Sequence, residues 1–148
     1  MHVIQAKTEK QLREAYAIRK KVFVEEQHVP IEIELDEHET NASHFVLYDG
    51  DKPVGAGRFR ILDGKGKVER ICILPTHRGK GAGLKIMEKI EEFARSLHIE
   101  ELVLNAQTSA IPFYKKLGYI VISEQFFDAG IPHRTMKKAV KHKTALDS

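Results

Sequence analysis

The stretch Arg78-Gly79-Lys80-Gly81-Ala82-Gly83 follows a strand-like run, Val68 to Leu74, and precedes a helix-like run, Leu84 to Leu97. A glycine-rich turn between a strand and a helix presents backbone N–H groups at the positive end of the helix dipole. Its three glycines also lack the Cβ atoms that would block close approach of a ligand. The turn is therefore predicted to bind a phosphate-bearing ligand.

Two common phosphate-binding motifs differ from this turn. A P-loop requires Ser or Thr directly after Gly-Lys, whereas Gly79-Lys80 is followed by Gly81-Ala82, which excludes it. A dinucleotide fingerprint requires G-x-G-x-x-G directly after a strand and an acidic residue after the next strand. Here residues 75–78 separate the strand from the glycines, and the next strand ends at Leu104-Asn105-Ala106-Gln107 without an acid. A nucleotide-dependent oxidoreductase is therefore disfavoured.

A third motif matches in spacing and in its surroundings. The pattern Arg78-x-x-Gly81-x-Gly83 resembles the acyl-CoA-binding motif R/Q-x-x-G-x-G/A of the GCN5-related N-acetyltransferase (GNAT) family. Residues 68–75, VERICILP, resemble the fourth strand of that family, and residues 110–119, AIPFYKKLGY, resemble its A-I-x-x-Y-x-x-x-G-F helix and turn. These blocks occur in family order and at family spacing, and together they cover about residues 66 to 122.

The resemblance implies both a fold and an activity. The expected fold is the α+β acyl-CoA N-acyltransferase fold, a mixed and mostly antiparallel sheet flanked by helices, with splayed central strands. The expected activity is direct transfer of the acetyl group of acetyl-CoA to a small-molecule or peptide amine in a ternary complex. A non-catalytic acyl-CoA-binding or regulatory module on the same fold is the alternative, because a fold does not fix a function.

Length and composition bound the remaining possibilities. A chain of 148 residues, 42% of them hydrophobic, suits one core, so we expect a single acetyltransferase domain over residues 1–140. No apolar run approaches the roughly 20 residues of a membrane span, and residues 1–7 are too polar for a signal peptide. The single cysteine favours a reducing, cytoplasmic compartment, and a net charge of +3 is too small to indicate nucleic acid. We expect a monomer or homodimer.

Hydrophobic periodicity and turn signals predict the element order β-α-α-β-β-β-α-β-α-β-β. Thr8 and Gln11 have capping-box spacing, Thr108 or Ser109 is expected to cap the helix before Gly118, and Gly118 is expected to end that helix in a left-handed conformation. The helix after the glycine turn is predicted to bury one apolar stripe: Leu84, Met87, Ile90, Ala94 and Leu97. Four lysines make the last segment basic, and residues 141–148 are expected to be a frayed tail after a closing strand at Thr135 to Lys138: Lys137, Lys138, Lys141 and Lys143.

The resemblance assigns the CoA-binding residues. The pyrophosphate is expected on the backbone N–H groups of residues 79–84, with Arg78 and Lys80 adding positive charge. The strand segment Ile71-Cys72-Ile73 is expected to pair with the pantetheine arm through its backbone. A covalent role for Cys72 is the alternative, although a lone thiol in an apolar strand is usually a small buried hydrophobe.

Direct transfer requires two proton movements, one from the amine and one to the departing thiolate. Tyr114 matches the family tyrosine that faces the CoA sulfur and acts as general acid. Two residues are candidates for the base. The first is Glu69 on the fourth strand, which could instead form a salt bridge. The second is His133, which could instead be structural. Gln107 occupies the position, seven residues before Tyr114, at which the family often has an asparagine that contacts the CoA arm.

Two further segments resemble one bacterial subgroup of small GNAT proteins. These are Val22-Phe23-Val24-Glu25-Glu26-Gln27 and the ending G-I-P-H-x-x-M at residues 130–136. They are expected to shape the acceptor pocket through Glu26, Gln27 and His133. An acidic run precedes the second predicted strand and either attracts a cationic amine or forms a solvated loop: Glu32, Glu34, Asp36, Glu37 and Glu39. No ligand spacing indicates a metal site, and no metal is predicted.

Overall fold

The computed structural model of the chain describes residues 1–36, 38 and 41–140, with the side chain of Ile33 left out. The predicted tail at 141–148 and the acids Glu37 and Glu39 therefore lie outside the described residues. The chain divides into two compact units, one formed by Met1–Arg60 and Val68–Ile90, the other by Ile61–Lys67 and the residues from Glu91 onward.

The described residues form eight strands, four α-helices and three shorter helical segments. The strands are β1 His2–Gln5, β2 Ser43–Asp49, β3 Lys52–Leu62, β4 Lys65–Ile73, β5 Glu101–Gln107, β6 Ile120–Val121, β7 Phe126–Asp128 and β8 Ile131–Ala139. The α-helices are α1 Glu9–Arg19, α2 Ile31–Glu34, α3 Ala82–Ser96 and α4 Ile111–Lys116. A π-helical segment, Lys20–Glu26, continues α1, and Pro75–His77 and Thr108–Ala110 are 3₁₀ turns.

The first unit is built on antiparallel strands. β1 pairs with β2 from His2 opposite Tyr48 onward, and β2 pairs with β3 across a two-residue turn at Gly50 and Asp51. Helix α1 begins with the predicted capping box, because Gln11 N–H donates to Thr8 Oγ1 and Thr8 N–H donates to Gln11 Oε1, each at 3.1 Å.

Helix α1 and its π-helical continuation bury an apolar face on the strands of the first unit. Ala15, Ile18 and Val22 are 3% exposed or less and pack in one cluster with Val46 and Cys72. Burial of such side chains contributes about 1.5–3 kcal/mol each for the larger aliphatics. This cluster fixes the position of α1 against the strands.

Helix α3 begins at Ala82, two residues before the predicted start at Leu84, so Ala82 and Gly83 belong to its first turn. Its buried residues are Ala82, Ile86, Met87, Ile90 and Ala94. The prediction that Leu84 and Leu97 belong to this stripe is wrong, since they are 39% and 43% exposed. Four of these five buried residues are spaced four apart, starting at Ala82, so Ile86 faces inward and Leu84 does not.

The second unit is centred on β8. β5 pairs with β8 in antiparallel register from Glu101 opposite Ala139 to Gln107 opposite His133. The strands β6 and β7 also pair with β8. Lys137 and Lys138 lie in β8, as the closing strand expected at Thr135 to Lys138 requires, and Lys138 Nζ donates to Glu91 Oε2 at 2.9 Å.

Helix α4 differs from the prediction at its start and agrees with it at its end. Ala110 is the N-cap, and no side chain in the described part of the chain caps the helix. Thr108 and Ser109 do not cap it because they belong to a 3₁₀ turn in which Ile111 N–H donates to Thr108 O. Gly118 has a φ of +99°, and the N–H of Tyr119 donates to Tyr114 O at 3.1 Å, which is a Schellman ending.

Within residues 1–36, 38 and 41–140, every helix is too short or too polar to cross a lipid bilayer.

Candidate functional site

The glycine turn has the backbone that an anion site requires. Gly79 and Gly81 have φ values of +76° and +78°, a region that other L-residues rarely adopt. A Cβ atom at either position would meet no atom within 4 Å of the described structure, so backbone conformation rather than packing calls for glycine. Lys85 N–H donates to Gly81 O at 3.2 Å, so the amides of residues 81–84 are those that the start of α3 leaves without helical partners. This turn fits a pyrophosphate.

Arg78 makes three hydrogen bonds to the protein. Its Nη1 and Nη2 donate to the two carboxylate oxygens of Glu26, both at 2.7 Å. Its Nε donates to the backbone carbonyl of Ile73 at 2.9 Å. The hydrogen bond from Arg78 lowers the pKa of Glu26 against the opposing effect of burial. The structure thus brings Glu26, expected at the acceptor, to the head of the glycine turn.

Strand β4 contains a local break in its extended backbone just before the segment expected to pair with pantetheine. Arg70 has a φ of +56°, which is unusual for a residue with a side chain and typical of functional or tightly constrained positions. Ile71 and Ile73 are half-buried, whereas Cys72 is 4% exposed. Burial raises the pKa of the Cys72 thiol to about 12, which disfavours the covalent alternative because the thiolate is the nucleophile.

Glu69 lies in an ion-pair network on the same strand. Its Oε1 accepts from Arg60 Nε at 2.8 Å and from Arg58 Nη2 at 3.1 Å. Arg58 is fully buried and also binds both carboxylate oxygens of Asp36, at 2.7 and 2.8 Å. A buried guanidinium needs such partners because an unpaired buried charge is very costly.

The network continues from Asp36 to helix α1. Arg70 contacts Asp36 Oδ2 at 3.3 Å and Glu34 Oε2 at 2.9 Å. Glu34 Oε1 in turn accepts from Arg19 Nε at 2.6 Å, and both of these residues are almost fully buried. We define the arginine network as these seven residues: Arg19, Glu34, Asp36, Arg58, Arg60, Glu69 and Arg70.

The arginine network overturns both interpretations of the acidic run for two of its members. Glu34 and Asp36 are neither free to attract an amine nor solvated, because arginines neutralise them. Burial alone would raise the pKa of Asp36, but hydrogen bonds from Arg58 and from the His38 amide, with the charges of Arg58 and Arg70, lower it well below its usual range. Glu32 is exposed.

The second unit contains the other predicted site residues. Tyr114 is 8% exposed, and its ring meets Phe113 and Tyr119 edge to face, with centroids 5.0 and 5.8 Å apart. Among the described residues, the buried hydroxyl of Tyr119 has no hydrogen-bond partner. Burial raises the pKa of Tyr119, as do the charge of Glu91 and the neighbouring Tyr114.

His133 has a defined tautomer when neutral. Its Nδ1 lies 2.7 Å from the Ile131 carbonyl oxygen, and because a carbonyl only accepts, Nδ1 carries the proton and Nε2 is the accepting nitrogen. The ring is 9% exposed and stacks on Phe126 with centroids 5.9 Å apart.

Gln107 is half-buried and lies opposite His133 in the β5–β8 register. Gln27 ends the π-helical segment through its N–H bond to Val22 O at 3.0 Å.

The sequence interpretation did not identify the arginine network. A signal was present, because Arg58, Arg60 and Arg70 stand within strand runs that also contain buried apolar residues, and arginines are rarely buried unless paired. The partners Glu34 and Asp36 are distant in sequence, so the pairing itself could not be inferred. Within the described ranges, no group of three His, Cys, Asp or Glu side chains could hold a metal ion.

Comparison with known proteins agrees with this geometry. The family model of the GNAT acetyltransferase domain matches residues 3–140. The uncharacterized N-acetyltransferase YjcF of Bacillus subtilis is 54% identical over 139 residues, which cover 93% of this chain and 99% of that protein. A presumed N-acetyltransferase from Lactobacillus plantarum has a crystal structure with a TM-score of 0.88 and 27% identity, over 94% of this chain and 97% of that one.

A crystal structure of a Bacillus subtilis acetyltransferase in complex with CoA has the same fold, with a TM-score of 0.71 and 15% identity over 95% of this chain and 99% of that one. The resemblance read from the glycine turn and the Tyr114 helix is thereby confirmed at the level of family and fold. The chain belongs to the GNAT family of acetyltransferases and has its acyl-CoA N-acyltransferase fold.

Proposed function

We propose that this protein transfers the acetyl group of acetyl-CoA directly to an amine acceptor while both substrates are bound. The observation that carries the proposal is the glycine turn. Gly79 and Gly81 have positive φ values, and the amides of residues 81–84 have no helical partners at the start of α3. The CoA complex of a protein with the same fold supports the choice of ligand.

Acetyl transfer requires one proton to leave the amine and one to reach the departing thiolate. The amine nitrogen attacks the thioester carbonyl carbon, a C–N bond forms and the C–S bond breaks. The amine gives up a proton to a base, and the departing thiolate receives one. Tyr114 is the proposed donor to the thiolate, since a phenol is protonated at neutral pH and its ring is held in an aromatic cluster.

The base is Glu69 or His133. Glu69 has an oxygen, Oε2, without a partner among the described residues, whereas Oε1 is anchored by two arginines. Neutral His133 presents Nε2 as an acceptor. A pH–rate profile of Glu69→Gln and His133→Ala separates them, because the variant that lacks the base loses the limb at low pH. If both variants keep that limb, both assignments are wrong.

The remaining donor-site roles follow the same proposal. Residues 79–84 hold the pyrophosphate through their backbone, and Lys80 adds charge. Ile71, Cys72 and Ile73 pair with the pantetheine arm, and Gln107 contacts that arm through its amide. Arg78 orders the turn through its bonds to Glu26 and Ile73.

Thermal unfolding and CoA release test the function together. We expect acetyl-CoA, but not NAD or ATP, to raise the unfolding temperature, since a ligand stabilises the state that binds it. We expect release of free CoA to depend on an added amine. Stabilisation by acetyl-CoA without release in any amine panel would favour a non-catalytic acyl-CoA-binding module, and absence of stabilisation would reject both.

Tyr114→Phe tests the general acid. Loss of the phenolic proton should lower kcat by about 10²-fold or more, whereas the affinity for acetyl-CoA should stay the same because the ring is kept. Steady-state kinetics and equilibrium binding of acetyl-CoA measure the two quantities. Tyr119→Phe, which removes a hydroxyl from the same aromatic cluster, is the matched control and should keep kcat. An unchanged kcat in Tyr114→Phe would remove Tyr114 from the mechanism.

Three broader assignments belong to this proposal. We place the chain in the bacterial subgroup with the G-I-P-H-x-x-M ending at residues 130–136. We treat residues 1–140 as one acetyltransferase domain, which the span of the family match supports. We assign a cytoplasmic location, on the basis of the single cysteine.

A further inference from the structure

One end of the arginine network is incomplete. Among residues 1–36, 38 and 41–140, Glu69 is the one side-chain partner of Arg60, through Nε, and Glu69 is bound through Oε1 alone. The terminal nitrogens of Arg60 and the Oε2 atom of Glu69 therefore have no partner in the described part of the chain. These two side chains are 17% and 13% exposed. Their unpaired atoms are therefore accessible to a ligand but only partly hydrated.

The charges of the network are also unbalanced. Among the described members of the network, four guanidinium groups face three carboxylates, so the guanidinium groups outnumber the carboxylates by one. The carboxylates of Glu34 and Asp36 are already bound by buried or half-buried arginines, so they offer little to a ligand cation. The guanidinium of Arg60 is partly buried, and a partly buried cation is stabilised by a nearby anion. An anionic ligand group would therefore stabilise it further.

The open atoms of Arg60 and Glu69 have complementary chemistry. The two terminal nitrogens of an arginine can bind a carboxylate with two parallel hydrogen bonds. A carboxylate oxygen such as Glu69 Oε2 accepts from an ammonium or amine. Because Arg60 Nε and Glu69 Oε1 are 2.8 Å apart, the side chains that would hold the carboxylate and the amine are in direct contact.

We infer that the acceptor is a small amine that also carries a carboxylate, bound with its carboxylate on Arg60 and its amine at Glu69. This inference rests on the proposed function and deepens it by naming the acceptor class. An α-amino acid is the simplest acceptor that has both groups. A polyamine or another purely cationic acceptor instead meets a network with an excess of positive charge.

Matched acceptors test the inference. The twenty L-amino acids, the corresponding amino acid amides and the corresponding decarboxylated amines are each supplied with acetyl-CoA, and free CoA is followed with a thiol reagent. The amide and the amine keep the acceptor nitrogen and lose the negative charge. We expect kcat/KM for the preferred acids to exceed that of their amides and amines by about tenfold to 100-fold, the range for a hydrogen-bonded charge.

Variants of Arg60 show whether this preference arises where the inference places it. Arg60→Gln should raise KM for the acids and bring the acid-to-amide ratio of kcat/KM close to one, while acetyl-CoA affinity stays the same. Arg60→Lys keeps the charge without the paired nitrogens and should keep part of the preference. Arg13→Gln removes an exposed arginine whose partner is Glu9 on the same helix, and it should change neither quantity. Thermal unfolding checks that each variant is folded.

Three outcomes would overturn the inference. The first is equal kcat/KM for acids and amides in the unmodified protein, which leaves amine acetylation intact. The second is a preference for acids that Arg60→Gln preserves. The third is no CoA release with any acid, and if acetyl-CoA also fails to bind, the proposed function falls with it.

Discussion

Arg78 and Glu26 show at the scale of single residues how a motif position can have a role that the motif does not state. Arg78 opens the glycine turn, yet it makes two bonds to Glu26 and one to the Ile73 carbonyl. The pair therefore joins the end of the π-helical segment, the end of β4 and the turn. Both side chains are more than a third exposed, so their contribution to global stability is small, and their effect belongs to the shape of the turn.

A double-mutant cycle on Glu26→Gln and Arg78→Gln tests this role. If the two residues act as one unit, each single variant should weaken acetyl-CoA affinity by about three- to tenfold, and the double variant should be no weaker than the worse single one. Equilibrium binding of acetyl-CoA measures all four proteins. A large loss in Arg78→Gln with none in Glu26→Gln would instead show that Arg78 binds the phosphates directly.

Tyr119 is a second residue whose side chain affects stability through a polar group. The family pattern has phenylalanine here, whereas this chain has a tyrosine whose hydroxyl is buried without a partner among the described residues. A buried unsatisfied hydroxyl costs about 1–3 kcal/mol.

Tyr119→Phe should therefore raise the free energy of unfolding by about 1 kcal/mol. The ring contacts with Tyr114 are kept, so the gain comes from removal of one polar atom. Urea unfolding of the two proteins measures the difference. A loss of stability would show that the hydroxyl has a partner in solution.

At the scale of elements, β3 lies close to β4 and α3 because two of its residues are glycines. A Cβ atom on Gly55 would lie 2.8 Å from Ile73 Cδ1, 3.1 Å from the Cys72 carbonyl oxygen and 3.1 Å from Ile86 Cδ1. Gly57 is similarly enclosed by Ile71, Ile86 and Ile90. The backbone of the proposed pantetheine segment thus depends on the absence of side chains on the neighbouring strand.

Gly55→Ala should lower the free energy of unfolding by about 1–3 kcal/mol, the usual cost of overpacking, and should weaken acetyl-CoA binding as the β4 segment shifts. Ile73→Val removes the Cδ1 atom that makes the shortest contact, so Gly55→Ala with Ile73→Val should be less destabilised than the sum of the single variants. Denaturant unfolding and acetyl-CoA binding give the two readouts. Strict additivity would contradict the steric explanation.

The elements that the sequence predicted well are those whose signals are local. Thr8 and Gln11 form their capping box, and Gly118 ends α4 in the left-handed region, because each depends on residues within one turn. The glycine turn could likewise be recognised from its own residues. Strand β7 escaped prediction because three residues, Phe126–Asp128, are too few to show an alternation.

The parts that escaped prediction depend on distant partners. The stripe of α3 was misplaced at Leu84 because the strand surface, not the helix, decides which side faces inward, and at Leu97 because the helix ends at Ser96. The arginine network includes pairs that are far apart in sequence, such as Arg19 with Glu34, 15 positions apart, and Arg70 with Asp36, 34 positions apart. Charge spacing in the acidic run could not reveal that arginines neutralise two of its members.

At the scale of the whole molecule, the arginine network extends across the first compact unit, from α1 through α2 to β3 and β4. Its carboxylates must be ionised for the network to hold. The pKa of Asp36 in the folded state lies below the value of about 3.9 for an unfolded aspartate, because the bonds and charges of Arg58 and Arg70 outweigh burial. A lowered folded-state pKa stabilises the protein above the unfolded value and loses that effect as the pH falls toward the folded value.

Stability should therefore fall as the pH is lowered from about 5 to 2, and Asp36 should account for part of that loss. In Asp36→Asn, which leaves the buried Arg58 with one carboxylate fewer, we expect a lower free energy of unfolding at pH 7 and a flatter decline in acid, so that the two proteins converge as the pH falls. Urea unfolding at several pH values measures both curves. Asp51→Asn, in the exposed turn after β2, is the charge-matched control and should follow the unmodified protein. Parallel curves for Asp36→Asn and the unmodified protein between pH 5 and 2 would show that Asp36 has no lowered pKa in the folded state.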